Sequence, residues 1–265
     1  MAGRVIVVTS GKGGVGKTTT VANIGTGLAL RKKKVVMIDA DIGLRNLDVV
    51  MGLENRIVFD IIDAAEKVCR LRQALIKDKR FDNLFLLPAA QTRNKDAISL
   101  KQMKELVDEL KAEFDYVIID CPAGIEHGFD NAISVATEAI IVTNPEVSAV
   151  RDADRIIGLL QAKEIYEPML VLNRLRPDMI KNGDMMDVDD INDILAINLL
   201  GIIPDDEEII ISTNKGEPAI LNHHSKAGEA FRNIVARIEG ESVPFMSINA
   251  EPGIFGRFWK MLSGK

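Results

Sequence analysis

The sequence predicts an α/β protein built on a mostly parallel, doubly wound sheet with helices on both faces. Three observations carry this prediction. Short, β-branched apolar stretches recur along the chain, stretches with helical periodicity lie between them, and a glycine-rich loop follows the first apolar stretch. The apolar stretches show no clean alternation with polar residues, which is typical of strands covered on both faces. At 265 residues the chain can form one large domain of this kind.

Seven stretches are predicted as buried strands because they are short, apolar and rich in β-branched residues. They are residues 4–10, 34–40, 84–89, 116–122, 139–145, 169–174 and 199–204. Helices are predicted over residues 17–31, 99–113, 146–163 and 223–239. Strand–helix alternation implies right-handed crossovers, and in such sheets ligands bind beyond the carboxyl ends of the strands.

The composition limits the possible classes of protein. A net charge of −6 argues against a nucleic-acid coat. Cys69, in a helix predicted within residues 59–75, and Cys121 lie far apart without CxxC spacing. Neither a disulfide framework nor a zinc site is therefore predicted, and a reduced cytoplasm fits best. No apolar run approaches the roughly 18 residues of a membrane span, so we expect a protein that is soluble or that lies on a membrane surface.

The first predicted strand leads directly into "GKGGVGKTTT" (11–20), which satisfies the phosphate-loop pattern G-x-x-x-x-G-K-T. The required context, a strand before the loop and a helix after it, is also predicted. Glycines let the backbone wrap a phosphate, the lysine supplies a positive charge, and the threonine hydroxyl can hold Mg²⁺. The predicted phosphate-site residues are Gly11, Lys12, Gly13, Gly14, Val15, Gly16, Lys17, Thr18 and Thr19.

Acidic residues follow two other predicted strands. Asp39 and Asp41 stand at the end of the second predicted strand, and Asp120 stands at the end of the strand predicted over 116–122. In a chain with a phosphate loop, an aspartate at the end of a buried strand is expected to hold Mg²⁺ through water. Gly124 would then be the flexible point of a switch loop. Capping of a following helix is the alternative function of Asp39 and of Asp120.

The last twelve residues form a predicted amphipathic helix. On a helical wheel, six apolar residues fall within an arc of about 160°, opposite Arg257 and Lys260. Such a pattern is typical of a helix lying in a membrane interface, and a helix docked on the protein's own core is the alternative. Residues 240–253 are predicted as a flexible linker between this helix and a phosphate-loop domain over 1–239. The apolar residues are Ile254, Phe255, Phe258, Trp259, Met261 and Leu262.

The loop with its early lysine, Lys12, resembles the deviant Walker-A ATPases of the MinD/ParA group. Further stretches carry the same resemblance: "DADIGLRNLD" (39–48), "DCPAG" (120–124), "NPEVSAVRDADR" (144–155) and the amphipathic end. With the loop, they make the chain similar to the septum-site-determining MinD family over nearly its whole length. The resemblance implies an ATPase that uses ATP and Mg²⁺ and forms a face-to-face dimer, in which Lys12 reaches the partner's nucleotide. It also implies that Lys17 stabilises the transferring phosphoryl group and that Asp41 orients the attacking water.

The same resemblance implies further sites. Asn173, Pro204 and Asp205 would frame the adenine, and the absence of an NKxD guanine motif agrees with adenine. Asn46 would transmit the nucleotide state, and Ser148, Asp152 and Asp154 would form a partner surface. Metal ligands would be Thr18, Asp41 and Asp120.

The implied partners are a MinC-like inhibitor of division and a MinE-like or topological regulator. ATP would bring the protein to the cytoplasmic face of the cell membrane, and hydrolysis would release it. A flagellar-placement ATPase of the same group remains an alternative. A DNA-partitioning ATPase is a weaker one, because the acidic charge and the aromatic tail disfavour it.

Overall fold

The computed structural model of the protein describes residues 3–93, 97–125 and 127–246. Within these ranges it contains one sheet of eight strands. The strands are β1 (Arg4–Thr9), β2 (Val35–Asp39), β3 (Ile76–Lys77), β4 (Leu84–Leu87), β5 (Tyr116–Asp120), β6 (Glu138–Thr143), β7 (Met169–Leu175) and β8 (Asn198–Pro204).

Eleven α-helices accompany the sheet in the described part of the chain. They are α1 (Lys17–Leu30), α2 (Leu47–Met51), α3 (Ile61–Ala65), α4 (Leu71–Ala74), α5 (Leu100–Glu113), α6 (His127–Ser134), α7 (Val147–Ala162), α8 (Pro177–Asn182), α9 (Val188–Leu195), α10 (Glu208–Asn214) and α11 (Lys226–Ile238). Two 3₁₀ turns lie at Glu54–Arg56 and Ala219–Leu221.

The strand order is β3-β4-β2-β5-β1-β6-β7-β8, and every neighbouring pair except β3 with β4 is parallel. Apolar cores lie on both faces of the sheet. β1, at the centre, is buried except at its first residue. The predicted doubly wound α/β class is confirmed, as are all seven predicted strands and the four predicted helices to within three residues at each end.

The structure corrects the sequence prediction between residues 59 and 77. Instead of one helix around Cys69, it has α3, a turn that contains half-buried Cys69, and then α4. Asp60 caps α3 by accepting the N–H groups of Ile62 and Asp63, and Lys67 in the turn adopts a φ of 60°. Strand β3 was not predicted, because its two residues are too few to form a recognisable apolar pattern.

The "RKKK" run at 31–34 lies at the end of α1 and is largely paired with acidic side chains. Lys33 Nζ is 2.8 Å from Glu239, Lys34 Nζ is 2.7 Å from Glu113, and Arg31 pairs with Glu241. These contacts join the end of α1 to α5 and to the end of α11. The run therefore has a structural use and does not form an unpaired basic surface.

No helix in the described ranges is long and apolar enough to cross a membrane. The predicted amphipathic helix, including Ile254, Phe255, Phe258, Trp259 and Leu262, lies outside the described residues. So does the second half of the predicted linker, residues 247–253. The division of the chain into an ATPase domain, a linker and a terminal helix therefore stays a prediction.

Helix α1 packs closely against α11, and Gly27 is the contact point. A Cβ on Gly27 would lie 2.6 Å from Val235 Cγ2 and 2.5 Å from Ile220 Cδ1. We expect Gly27→Ala to lower the free energy of unfolding by about 1–3 kcal/mol through overpacking. The matched control is Gly158→Ala in α7, where nothing lies within 4 Å, and which should raise stability by about 0.5–1 kcal/mol. Urea denaturation with unchanged m values checks both, and equal stability of Gly27→Ala and the wild type would contradict the packing.

Candidate nucleotide site

Three strand ends singled out by the sequence meet at the carboxyl edge of the sheet. β1 leads to the glycine-rich loop at 11–16, β2 ends at Asp39, and β5 ends at Asp120. Asp39 and Asp120 are register partners on neighbouring strands, and Val8 of β1 pairs with Asp120 on its other side. The loop therefore lies beside both carboxylates, at the edge where parallel sheets bind ligands.

The loop has the backbone conformation that a phosphate-binding loop needs. Gly14 and Gly16 adopt positive φ angles of 76° and 103°, and a Cβ on Gly16 would lie 2.3 Å from Asn173 Nδ2. Helix α1 then begins at Lys17 with no side-chain cap and no acidic residue in its first turn. Its first N–H groups and the positive end of its dipole remain available to an anion.

Two side chains of the first turn of α1 face the carboxylates. Lys17 is buried, with 8% of its surface exposed. Burial raises the pKa of Asp120, whereas a hydrogen bond with Thr18 and the charge of Lys17 lower it. Lys17, Thr18 and Asp120 therefore form one interacting group. The structure thus brings the predicted phosphate lysine, metal-binding hydroxyl and strand-end carboxylate together.

The carboxylates of Asp39 and Asp120 are 1% and 2% exposed. Burial raises the pKa of both groups, and the charge of Asp39 raises that of Asp120 further. Asp120 Oδ1 is buried without a hydrogen-bond partner in the described part of the chain. A cation near Asp120 would offset both the repulsion and the missing contact, so these residues fit Mg²⁺ held by the Thr18 hydroxyl and, through water, by Asp120.

No cluster of three or more His, Cys, Asp or Glu side chains suited to a metal occurs among residues 3–93, 97–125 and 127–246. Mg²⁺ commonly takes most of its ligands from phosphate oxygens and water. Asp41, predicted as a metal ligand, is half-buried and acts electrostatically on both neighbouring carboxylates. Its role at the metal stays a prediction.

Asp39 holds the loop between β2 and α2 in place. Its Oδ1 accepts the N–H of Asp41 at 3.0 Å, and its Oδ2 accepts those of Asn46 and Leu47, both at 3.2 Å. The helix-cap alternative is thus partly right, because Leu47 is the first residue of α2. Asp39 also fixes Asp41 next to the phosphate loop, so one buried carboxylate ties a helix end to the site.

The second predicted switch position, Gly124, is also connected to the phosphate loop. Its N–H donates to the carbonyl of Ser10 at 3.2 Å, and its φ is 77°. Cys121 is buried between these elements, and burial raises the pKa of its thiol to about 12. Cys121 therefore stays a protonated, packed side chain below the switch.

A cleft of about 890 Å³ opens beside the phosphate loop, and it contains all three residues predicted to frame the adenine. Gly16 and Thr19 form the end of the cleft nearest the phosphate loop, and Asn173, Pro204 and Asp205 line its wall. Asn173 Nδ2 donates to the carbonyl of Val15 at 2.7 Å, which fixes the amide against the loop. The cleft is the natural continuation of a phosphate site toward a base.

Lys12 projects from the outer edge of the loop toward α7. Its Nζ lies 3.2 Å from Glu146 Oε2 and 3.4 Å from Ser148 Oγ. A Cβ on Gly11 would lie 2.4 Å from the carbonyl oxygen of Asp152. The loop therefore contacts the helix that carries the predicted partner surface, where Ser148 and Asp154 are exposed and Asp152 is half-buried.

Sequence reasoning missed two residues of this region. Glu146 pairs with Lys12, from which it is 134 positions distant in the chain, and Met246 lines the cleft. Glu146 could have been noticed, because it is the first residue of the helix predicted over 146–163 and lies two positions before Ser148. No pattern in the sequence indicated Met246, since a lone methionine in a predicted linker carries no periodic signal.

This fold and this site define a P-loop nucleotide-binding protein. Residues 3–168 match the family described as AAA domain. The septum site-determining protein MinD of Synechocystis is 60% identical over 248 residues, which is 93% of each chain.

Two solved structures give the same result. The MinC:MinD cell division protein complex of Aquifex aeolicus aligns with a TM-score of 0.87 and 49% identity, over 92% of this chain and 98% of that one. The septum site-determining protein MinD of Pyrococcus horikoshii, complexed with Mg-ADP, aligns with a TM-score of 0.80 and 30% identity, over 89% and 96%. The chain belongs to the MinD family of septum site-determining proteins.

The hydrogen bonds of Asp39 generate a prediction. Asp39→Ala should speed hydrogen exchange at the amides of Asn46 and Leu47 about 10-fold or more, because each bond to a charged acceptor contributes about 1.5–3 kcal/mol. Exchange measured by NMR checks this. The matched control, Asp60→Ala, removes the cap of α3 and should leave both amides protected. Unchanged exchange in Asp39→Ala would show that something else holds the loop.

Proposed function

We propose that the protein is a Mg²⁺-dependent ATPase that converts ATP and water to ADP and phosphate and dimerises when ATP is bound. As a dimer it would lie on the cytoplasmic face of the cell membrane through residues 254–265 and recruit a MinC-like inhibitor of division, thereby positioning the septum. Hydrolysis would return it to the cytoplasm. The observation that best supports this proposal is that one lysine of the loop, Lys17, is buried and the other, Lys12, is exposed.

Lys17 is 8% exposed, whereas the side chain of Lys12 is 46% exposed. This burial supports a role for Lys17 at a phosphate in its own subunit. Lys12, at the outer edge of the loop, is accessible to a second subunit. A dimer that brings two loops face to face would give each site a cation that the free subunit lacks, aimed at charge that develops on the phosphoryl oxygens.

The chain's own groups divide the work in the proposed reaction. Lys17 and the N–H groups of the loop would bind the β- and γ-phosphates, and Thr18 with Asp120 would hold Mg²⁺, which neutralises phosphate charge when bound. Asp41, positioned through Asp39, would orient the attacking water. The Mg-ADP complex of the Pyrococcus horikoshii relative supports a nucleotide and Mg²⁺ at this site.

The ion pair of Lys12 with Glu146 would have to break when Lys12 engages a partner's nucleotide. The two side chains are 46% and 54% exposed, and exposed pairs of this kind contribute at most about 1 kcal/mol. Binding to a phosphate outweighs such a contact. The pair therefore orients Lys12 in the free subunit without opposing dimerisation strongly.

The contacts between the phosphate loop and α7 support a coupling between nucleotide state and partner binding. Gly11 packs on the backbone of Asp152, and Lys12 contacts Ser148. A change in the loop would therefore reach the surface formed by Ser148, Asp152 and Asp154, with Asn46 responding through Asp39. The MinC:MinD complex of Aquifex aeolicus supports an inhibitor of the MinC type as the partner, and a MinE-like regulator would stimulate hydrolysis where present.

The proposed tail explains why membrane binding would depend on dimerisation. Six apolar side chains at a membrane interface contribute roughly 5–9 kcal/mol, about half the value for full burial. Ordering about a dozen residues costs on the order of 1 kcal/mol each. The two terms nearly cancel for one tail, whereas two tails on one dimer gain an avidity of about 10²–10⁴.

The two alternative functions have less support. The Synechocystis relative is a septum site-determining protein by name, which favours a role in division over flagellar placement. A DNA-partitioning ATPase needs a basic surface, but Arg31, Lys33 and Lys34 are paired with acidic residues. Septum placement is therefore the best-supported function.

Sedimentation with anionic liposomes tests the proposal. With ATP the full chain should pellet, and with ADP it should stay in the supernatant. A chain ending at Gly253 should not pellet with either nucleotide, because it lacks the apolar anchor. Lys12→Ala should bind ATP, but the fraction of protein that pellets should fall at least about 10-fold, because a single tail has no avidity.

Nucleotide binding by each variant is the control for folding. Equal pelleting of Lys12→Ala and the wild type, at equal ATP occupancy, would contradict the coupling of dimerisation to membrane binding. Pelleting by the chain ending at Gly253 would contradict the assignment of the anchor.

A further inference from the structure

The chain reverses direction where α11 ends. Gly240 has a φ of 85°, its N–H donates to the carbonyl of Arg237, and the N–H of Glu241 donates to the carbonyl of Ala236. These two bonds form the Schellman arrangement that commonly ends helices at glycine. The chain that follows thus turns back toward the body of the protein. We call residues 243–246 the strap.

Arg237 fastens the start of the strap to edge strand β8. Its guanidinium donates to the carbonyl of Leu200 at 2.9 Å and to those of Val243 and Pro244 at 3.1 and 3.0 Å. The guanidinium also lies over the ring of Phe245, 4.2 Å from its centroid. All three guanidinium nitrogens therefore join β8 to the strap, and a planar fork of donors suits such a junction better than a lysine does.

Glycine in β8 makes room for this junction. A Cβ on Gly201 would lie 2.2 Å from Ile234 Cγ1 and 3.7 Å from Arg237 Nη1. The absence of a side chain at Gly201 lets α11 approach β8 closely enough for Arg237 to reach Leu200. The close packing of α11 on β8 at Gly201 and the hydrogen bonds of Arg237 together hold the strap at this edge of the sheet.

The strap ends at the nucleotide cleft. Met246 is half-buried, packs against the apolar core that contains α1 and α11, and lines the same cleft as Gly16, Thr19 and Asn173. Ile202, Ile209 and Ile210 line the cleft as well, so Met246 adds to an apolar wall. Asn173 and Asp205 contribute polar groups to the lining of the same cleft.

We propose that Met246 forms one wall of the nucleobase pocket and that Arg237 positions it there. This inference rests on the proposed nucleotide-binding function and adds a residue that the phosphate-loop pattern does not contain. A thioether is polarisable and adaptable, and sulfur makes favourable contacts with aromatic rings. The contact would act on the base alone, because the phosphates lie at the loop, at the other end of the ligand.

Calorimetric titration with ADP and with pyrophosphate, both in Mg²⁺, separates the two ends of the ligand. ADP is chosen because the proposed function keeps the ADP-bound protein monomeric. In the full chain, Met246→Ala should weaken ADP binding about 2- to 10-fold and leave pyrophosphate binding unchanged. Met246→Leu, of similar volume, should stay within about twofold of the wild type for both ligands.

Arg237→Ala should reproduce the selective loss, because the strap would no longer be fastened to β8. Its unchanged pyrophosphate binding is the control for a folded phosphate loop. Lys17→Ala is the contrasting variant, and it should weaken both ligands.

Unchanged affinities for both ADP and pyrophosphate in Met246→Ala would overturn the inference while leaving the proposed function intact. Equal losses for both ligands in Met246→Ala would overturn it too, because they would indicate a general structural effect. A wild-type protein that binds neither ligand would overturn the proposed function and the inference together.

Discussion

The structure depends on how two buried carboxylates are accommodated side by side. Asp39 and Asp120 face each other across β2 and β5 in a site with almost no exposure to water. Three backbone N–H groups stabilise Asp39, whereas for Asp120 a hydrogen bond with Thr18 and the charge of Lys17 oppose the rise in pKa that burial causes. The pair is therefore least costly when a cation is bound, which links the shape of the loop after β2 to the occupancy of the nucleotide site.

Contacts around this pair of carboxylates extend to the loop after β2, to helix α7 and to the strap. Asp39 fixes the loop that carries Asp41 and Asn46, and the phosphate loop contacts α7 through Gly11 and Lys12. On the other side of the site, the strap that leads toward the C-terminus ends against the cleft. The loop after β2, helix α7 and the strap thus all adjoin one ligand site, so a single bound nucleotide can influence all three.

Local patterns in the sequence were sufficient for the sheet and the phosphate loop. Strands such as Val35–Asp39 are continuous apolar runs, and the loop's glycines and lysines stand at fixed spacings. Contacts between distant residues could not be predicted in this way. The Lys12–Glu146 pair and the Asn173–Val15 hydrogen bond join positions 134 and 158 residues apart, and the Arg237 junction depends on the space left by Gly201. The interruption at Cys69 was missed because apolar spacing continues through the turn, while Lys67, with a φ of 60°, follows the end of α3.

We propose that Lys12 of one subunit completes the nucleotide site of the other. Mixing two inactive variants is the most direct test of this sharing. Lys12→Ala lacks the lysine that it should donate, and Asp41→Ala lacks the carboxylate that should orient water in its own site. In a mixed dimer, the site of the Lys12→Ala subunit has its own Asp41 and receives Lys12 from the other subunit. If Lys12 is shared between subunits in this way, mixing should restore ATP hydrolysis well above the sum of the two variants alone. Hydrolysis that stays at that sum, with both variants binding ATP and forming mixed dimers, would contradict it.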